Sequence, residues 1–141
     1  MNGLSVCTSD VGNAFFYGVT KEKYFIVAGP EFGPEAQGKR LVIYKSLNGL
    51  KSSAVCFHEH LSTRLRMLDF SPSKADPDLW MKDCGSHYKY IVRYVDDVIA
   101  VSKDPMSIMK QLEETYVMKG ISILDYYLGG DVLELEDQWK E

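Results

Sequence analysis

Cysteine, proline and long apolar runs are all scarce in this sequence, and each scarcity excludes something. No apolar run reaches the roughly 18–20 residues that a membrane helix needs, so no membrane insertion is expected. The start, Met1 to Cys7, lacks a basic segment followed by a long apolar stretch, so no signal peptide is expected there. The three cysteines, Cys7, Cys56 and Cys84, are odd in number and far apart, with no C-x-x-C. That excludes a zinc ribbon or a dithiol redox motif and fits a reducing compartment, cytoplasm or nucleus. His58 and His60 form the one H-x-H pair, and on a helix those two would point to different faces, which is poor zinc geometry. The 16 glycines and prolines are scattered, so the chain is neither collagen-like nor low-complexity.

A basic surplus is missing too. The net charge is −4 over 141 residues. The first seventy residues carry 8 basic and 6 acidic groups, and the remainder carries 8 basic and 14 acidic groups. Such a chain does not bind nucleic acid by bulk electrostatics, so any such role needs a local basic surface. An acidic half is otherwise a solvated face or a cation site.

What is present is strand-like apolar patterning with two helical stretches. Ser5 to Val11, Tyr24 to Val27, Leu41 to Tyr44 and Leu79 to Met81 read as strands. Asn48-Gly49 is a turn signal. Residues 52–70 read as a helix, with Phe57, Leu61, Leu65 and Leu68 in one stripe. Tyr88 to Tyr94 and Val98 to Ser102 are two β-rich arms around Asp96-Asp97, which predicts a hairpin. Asp104-Pro105 opens a second helix, with Ile108, Met109, Leu112 and Tyr116 as its apolar face and Lys119-Gly120 as its expected close. The order β–α–β–β–α–β predicts an α+β fold: one domain with a ferredoxin-like split βαβ antiparallel sheet and two helices on one face.

Within that frame, Asp10 ends the first strand, and Asp96-Asp97 tips the hairpin. A split βαβ sheet can set these two places side by side. As a bare dipeptide, Asp-Asp is ordinary turn chemistry. Between two apolar strands it gathers like charges at a costly place, and Mg²⁺ is the natural counter-ion.

The segments Asp10-Val11-Gly12-Asn13-Ala14-Phe15, Tyr44 to Lys51, Leu68-Asp69-Phe70 with Asp76 to Trp80, Tyr94-Val95-Asp96-Asp97 and Tyr126-Tyr127-Leu128-Gly129 occur in a specific order. Together they resemble the reverse transcriptase domain of copia-type retrotransposon polyproteins, from about Ser9 to about Leu135. The resemblance implies an RNA-directed DNA polymerase palm, with a finger-like insertion near 12–50 and the palm over 52–135. It implies two Mg²⁺ ions, with Mn²⁺ able to substitute, held by Asp10, Asp96, Asp97 and the Val11 carbonyl. Asn13, Ala14 and Phe15 would meet the incoming nucleotide, with Phe15 excluding a 2′-hydroxyl. Gly49 and Lys51 would line the base and template, and Tyr94, Leu128 and Gly129 would support the primer. The partners implied are primer-template RNA or DNA and deoxynucleoside triphosphates. Several positions depart from the family pattern. Gly12-Asn13 replaces the usual Lys-Thr, Asn48 replaces a Tyr, residues 52–57 lose a Pro and an Arg, and Gly130 replaces an apolar residue. The family's upstream basic fingers segment has no counterpart before Asp10, so the chain is read as truncated upstream. An inactive transposon-derived remnant, acting as a structural or interaction subunit beside a protein partner, is the alternative reading.

Overall fold

The computed structural model describes residues 3–124, 126–127 and 130–131. In chain order these form β1 (Ser5–Val11), β2 (Val19–Val27), β3 (Arg40–Lys45), α1 (Ser53–Met67), β4 (Ser71–Pro72) and β5 (Leu79–Asp83). There follow β6 (Tyr88–Tyr94), β7 (Asp97–Ser102), α2 (Pro105–Glu113), β8 (Met118–Ile123), β9 (Tyr126–Tyr127) and β10 (Gly130–Asp131). The chain divides into two compact units, residues 1–12 with 65–141, and residues 13–64.

The first unit holds a six-stranded sheet in the order β4-β5-β6-β7-β1-β8, antiparallel at every pairing. Four adjacent strands, β6-β7-β1-β8, have the split βαβ order expected from the sequence. The crossover from β1 to β6 contains α1 and leaves β7 between the two strands. The crossover from β7 to β8 contains α2 and leaves β1 between them. The fold is therefore α+β, with a mostly antiparallel sheet and two helices.

Period-two patterning decides which side of this sheet is core. Cys7, Ser9 and Val11 of β1 are buried, as are Val98, Ala100 and Ser102 of β7. Paired residues across an antiparallel ladder share a face, and the register sets Cys7 opposite Ala100 and Ser9 opposite Val98. Helix α2 packs against β1, β7 and β8, burying Ile108, Met109 and Leu112 completely. Its start is fixed as expected: Asp104 caps the helix by accepting the Ser107 amide at 3.2 Å, and Pro105 supplies the first helical φ.

The end of α2 differs from the sequence expectation. Lys119-Gly120 does not close it; the helix stops at Glu113, and both residues lie inside β8. Pairing with β1 explains the change. Thr8 faces Ser122 while Asp10 faces Lys119, so β8 carries one extra residue opposite Ser9. Gly120, at φ 63°, takes the left-handed conformation that such a bulge requires. The Ser9 hydroxyl donates to the Lys119 carbonyl at 2.9 Å and ties the irregularity to β1.

In the second unit, β2 and β3 pair antiparallel, with Phe25 opposite Val42 and Val27 opposite Arg40. Helix α1 follows a loop containing the expected Asn48-Gly49 turn. Phe57, Leu61 and Leu65 are fully buried, as the spacing read from the sequence requires, whereas Leu68, expected in the same stripe, lies past the end of α1 at Met67 and is half-buried.

Candidate active site: an acidic turn opposite the end of the first strand

Asp10 lies between two buried residues of β1, Ser9 and Val11, so alternation sends it to the face opposite the core. Asp97, the first residue of β7, is its direct cross-strand partner. Directly opposed residues have Cβ atoms roughly 4.5–5.5 Å apart, so the two carboxylates share one patch of surface. Tyr94 pairs with Asp97 across the hairpin, which leaves Val95 and Asp96 as a two-residue turn. The Val11 amide donates to the Asp96 carbonyl at 2.8 Å, fastening the turn to the end of β1.

Two further links hold this corner. The buried Arg93, immediately before Tyr94, forms an ion pair with Asp78, and its amide donates to the Asp78 carbonyl at 3.0 Å. This pins the end of β6 just before the turn. The turn itself is strained. Val95 sits at φ 55°, where a β-branched residue is a genuine outlier. A positive φ at the first turn position alone has the sign pattern of a type II′ turn, whose natural residue there is glycine. Such strain persists only where the surroundings over-determine it, and it concentrates at functional sites. Val95→Gly is therefore expected to raise the urea midpoint, with a net gain of up to about 1 kcal/mol after the flexibility glycine adds to the unfolded chain. A loss of stability would show that Val95, half exposed as it is, makes contacts worth more than the strain.

The electrostatics follow from the crowding. Asp97 is held above the usual carboxylate pKa, first because partial burial disfavours its charge, and then because Asp96 and Asp10 are close by. Asp97 thus feels both of its acidic neighbours. Among the described residues, no three His, Cys, Asp or Glu side chains converge as a ready-made metal group. Unscreened like charges splay, and a cation would have to draw them together. The donor chemistry suits a hard divalent ion: carboxylate oxygens at an incompletely neutralised site, as Mg²⁺ prefers.

Sequence reasoning missed Lys119. A lysine-glycine pair reads as a helix end, and only the β1–β8 register shows that Lys119 faces Asp10. Its side chain lies over Gly12: a Cβ built there would come within 2.5 Å of the Lys119 Cε and 3.2 Å of its Nζ. The glycine that departs from the family pattern thus leaves room for a lysine from another strand.

Of the remaining residues singled out from sequence, Tyr94 is exposed on the same face as Asp97. Asn13, Ala14, Phe15, Gly49 and Lys51 belong to the second unit. There Asn13, at φ 53°, opens a 3-10 turn over Ala14–Tyr17, in which Ala14 is buried and Phe15 half-buried. Gly49, at φ 92°, has open space around it, and Lys51 is exposed. Leu128 and Gly129 lie outside the described residues.

A family model described as reverse transcriptase (RNA-dependent DNA polymerase) matches residues 1–140. The chain is 25% identical over 124 residues to a putative transposon Ty5-1 protein of Saccharomyces cerevisiae, covering 85% of this chain and 40% of that one. It is 27% identical over 124 residues to the retrovirus-related Pol polyprotein from transposon RE1 of Arabidopsis thaliana, covering 85% of this chain and 8% of the polyprotein. The corresponding transposon RE2 polyprotein is 26% identical over 124 residues, with the same coverage. The chain therefore spans less than half the length of each of these relatives.

Proposed function

The chain belongs to the reverse transcriptase (RNA-dependent DNA polymerase) family, as the reverse transcriptase domain of a copia-type retroelement, and from that premise we propose that it carries a palm for metal-dependent nucleotidyl transfer. The observation that supports this best is the direct pairing of Asp10 with Asp97 beneath the strained Val95-Asp96 turn. Two Mg²⁺ ions, when bound, supply activation of the primer 3′-hydroxyl and stabilisation of the leaving pyrophosphate.

The chain's own residues do the holding and orienting. Asp10, Asp96 and Asp97, with the Val11 carbonyl, supply hard oxygen donors. The main-chain link from Val11 to Asp96 keeps the turn in register with β1, so only the carboxylate side chains have to draw together around a cation. Lys119, beside Gly12, offers a cation to the phosphate oxygens that accumulate charge. Tyr94, with Leu128-Gly129, would bear the primer end. Asn13 and Ala14 would meet the triphosphate, Phe15 would sit under the sugar, and Gly49 and Lys51 would border base and template.

Primer extension on an RNA template, in Mg²⁺ and in Mn²⁺, tests the proposal. Extension by the wild-type chain that disappears in Asp96→Asn/Asp97→Asn is the expected result. A folded wild-type chain that extends nothing in either metal would overturn catalysis by this chain. It would leave the alternative, a non-catalytic subunit of a larger complex.

A further inference from the structure

Arg93 is an expensive residue for its place in β6. Its side chain is 8% exposed, and its pairing with the buried Val98 puts it on the core face of the sheet. Asp10 and Asp97 stand on the opposite face, so Arg93 acts on them only through the backbone. The Nε of its guanidinium is buried with no hydrogen-bond partner, and a buried polar atom left so costs stability. Well-packed apolar residues of similar volume often replace a buried ion pair with no loss of stability, or with a gain. The demands of the core therefore do not account for an arginine here.

The arginine does hold one end of the acidic turn. The β5–β6 ladder has Leu79–Val92 as its last pair toward the turn. Asp78 and Arg93 add one rung beyond it, made twice: the Arg93 amide donates to the Asp78 carbonyl at 3.0 Å, and the guanidinium donates to the Asp78 carboxylate. Asp78 is itself fixed, because its amide donates to the Asp76 carboxylate at 2.8 Å. On the other side, the Val11 amide holds the Asp96 carbonyl. Val95 lies between these anchors, at φ 55°. A β-branched residue keeps that conformation only where its surroundings over-determine it. An anchor on each side does so, and either one alone would let the turn relax.

We propose that the Arg93–Asp78 ion pair is a positioning clamp, which holds Val95 in its left-handed conformation and thereby sets where Asp96 and Asp97 stand. The conformational part stands on geometry alone. Its use in gathering a cation at the turn rests on the metal-site reading above.

Arg93→Met keeps an unbranched apolar side chain and removes the cation. The Asp78 carboxylate left behind is 45% exposed and stays hydrated; Arg93→Met/Asp78→Asn removes its charge too, should the single variant melt early. The first readout is Val95→Gly, expected to raise the urea midpoint in the wild-type background and to leave it unchanged in the Arg93→Met background, where the strain is already released. The second is amide hydrogen exchange by NMR. The Val11 amide is expected to exchange about tenfold faster in Arg93→Met, the scale of one lost hydrogen bond to a charged group, while the α2 amides do not speed up. A merely structural arginine would move both sets together. The third is Mn²⁺ binding to the full chain by electron paramagnetic resonance. Affinity is expected to fall about tenfold in Arg93→Met, the low end of what losing a residue behind the ligands costs, and to vanish in Asp96→Asn/Asp97→Asn. A wild-type chain that binds no Mn²⁺ counts against the metal-site reading alone, and the first two readouts still decide the clamp. Equal midpoint gains from Val95→Gly in both backgrounds, no gain in either, or a Val11 amide that exchanges no faster than in wild type overturns it.

Discussion

Asp97→Asn is expected to cost most of the nucleotide addition and at the same time to make the protein more stable at neutral pH. The two effects share one cause. Asp97 is partly buried, follows Asp96 and faces Asp10 directly, and in that order these raise its pKa in the folded chain above the ordinary 3.8. Between that ordinary value and the raised one, the folded chain binds more protons than the unfolded chain. Stability therefore falls as pH climbs through this window, and the full penalty persists above it. An asparagine carries no charge and escapes the penalty. Like charges directly opposed on two strands cost up to about 1 kcal/mol, which corresponds to a rise of roughly 2–5 °C in Tm at pH 7. The gain should vanish as pH falls below 3.8, where the wild-type carboxyl is protonated as well. Removing one preorganised charge-stabilising group typically costs about 100- to 1000-fold in rate, and single-nucleotide addition in Mg²⁺ would read that loss. Thermal melts at both pH values read the other half. A variant that melts lower at pH 7 would mean that the carboxylate serves the fold as a hydrogen-bond acceptor, against the reading of a charge-strained site.

The second large effect lies away from the site. Trp80 is 2% exposed in β5 and pairs with Ile91, which is fully buried. The Arg66 guanidinium sits 5.2 Å from its ring. Trp80→Ala is expected to cost about 3–5 kcal/mol, because the sheet cannot collapse onto so large a void. Against a total of about 5–15 kcal/mol for a typical domain, that leaves a marginal or partly unfolded chain. Urea denaturation followed by far-ultraviolet circular dichroism measures the shift. Trp139, outside the described residues, keeps the fluorescence from being specific. A loss under 1 kcal/mol would mean that the β4–β5 side of the sheet tolerates loosening.

Much of this was written locally in the sequence. The hairpin was legible because both arms have strand composition, but its tip was not: the two-residue turn is Val95-Asp96 rather than Asp96-Asp97, and Asp97 already pairs with Tyr94 as the first residue of β7. The start of α2 was legible because Asp104-Pro105 meets two separate demands of a helix N-terminus. Its end was not, since Lys119-Gly120 satisfies a helix close and a strand bulge equally well, and only pairing with β1 chooses. Val95 was illegible for the opposite reason: propensity assigns a β-branched residue to extended backbone, and tertiary contacts hold it elsewhere. Arg93 breaks the rule that charged residues stay outside, and its partner Asp78, fifteen positions earlier, could not be named from spacing. The nearness of Lys119 to Gly12 joins positions more than a hundred residues apart and needed the fold.

The bulge in β8 has a consequence for how this strand can vary in length. Thr8 and Asp10 lie two positions apart on β1, while their partners Ser122 and Lys119 lie three apart on β8. Removing Gly120 would leave both pairings as they are, with Ile121 falling opposite Ser9. Adding a residue on either flank would instead turn every side chain beyond it to the other face. The strand is thus free to shorten at one position and barred from lengthening nearly everywhere else. What a shortened β8 would give up is the bend beside Asp10, and with it the path that carries the Lys119 ammonium over the end of the first strand.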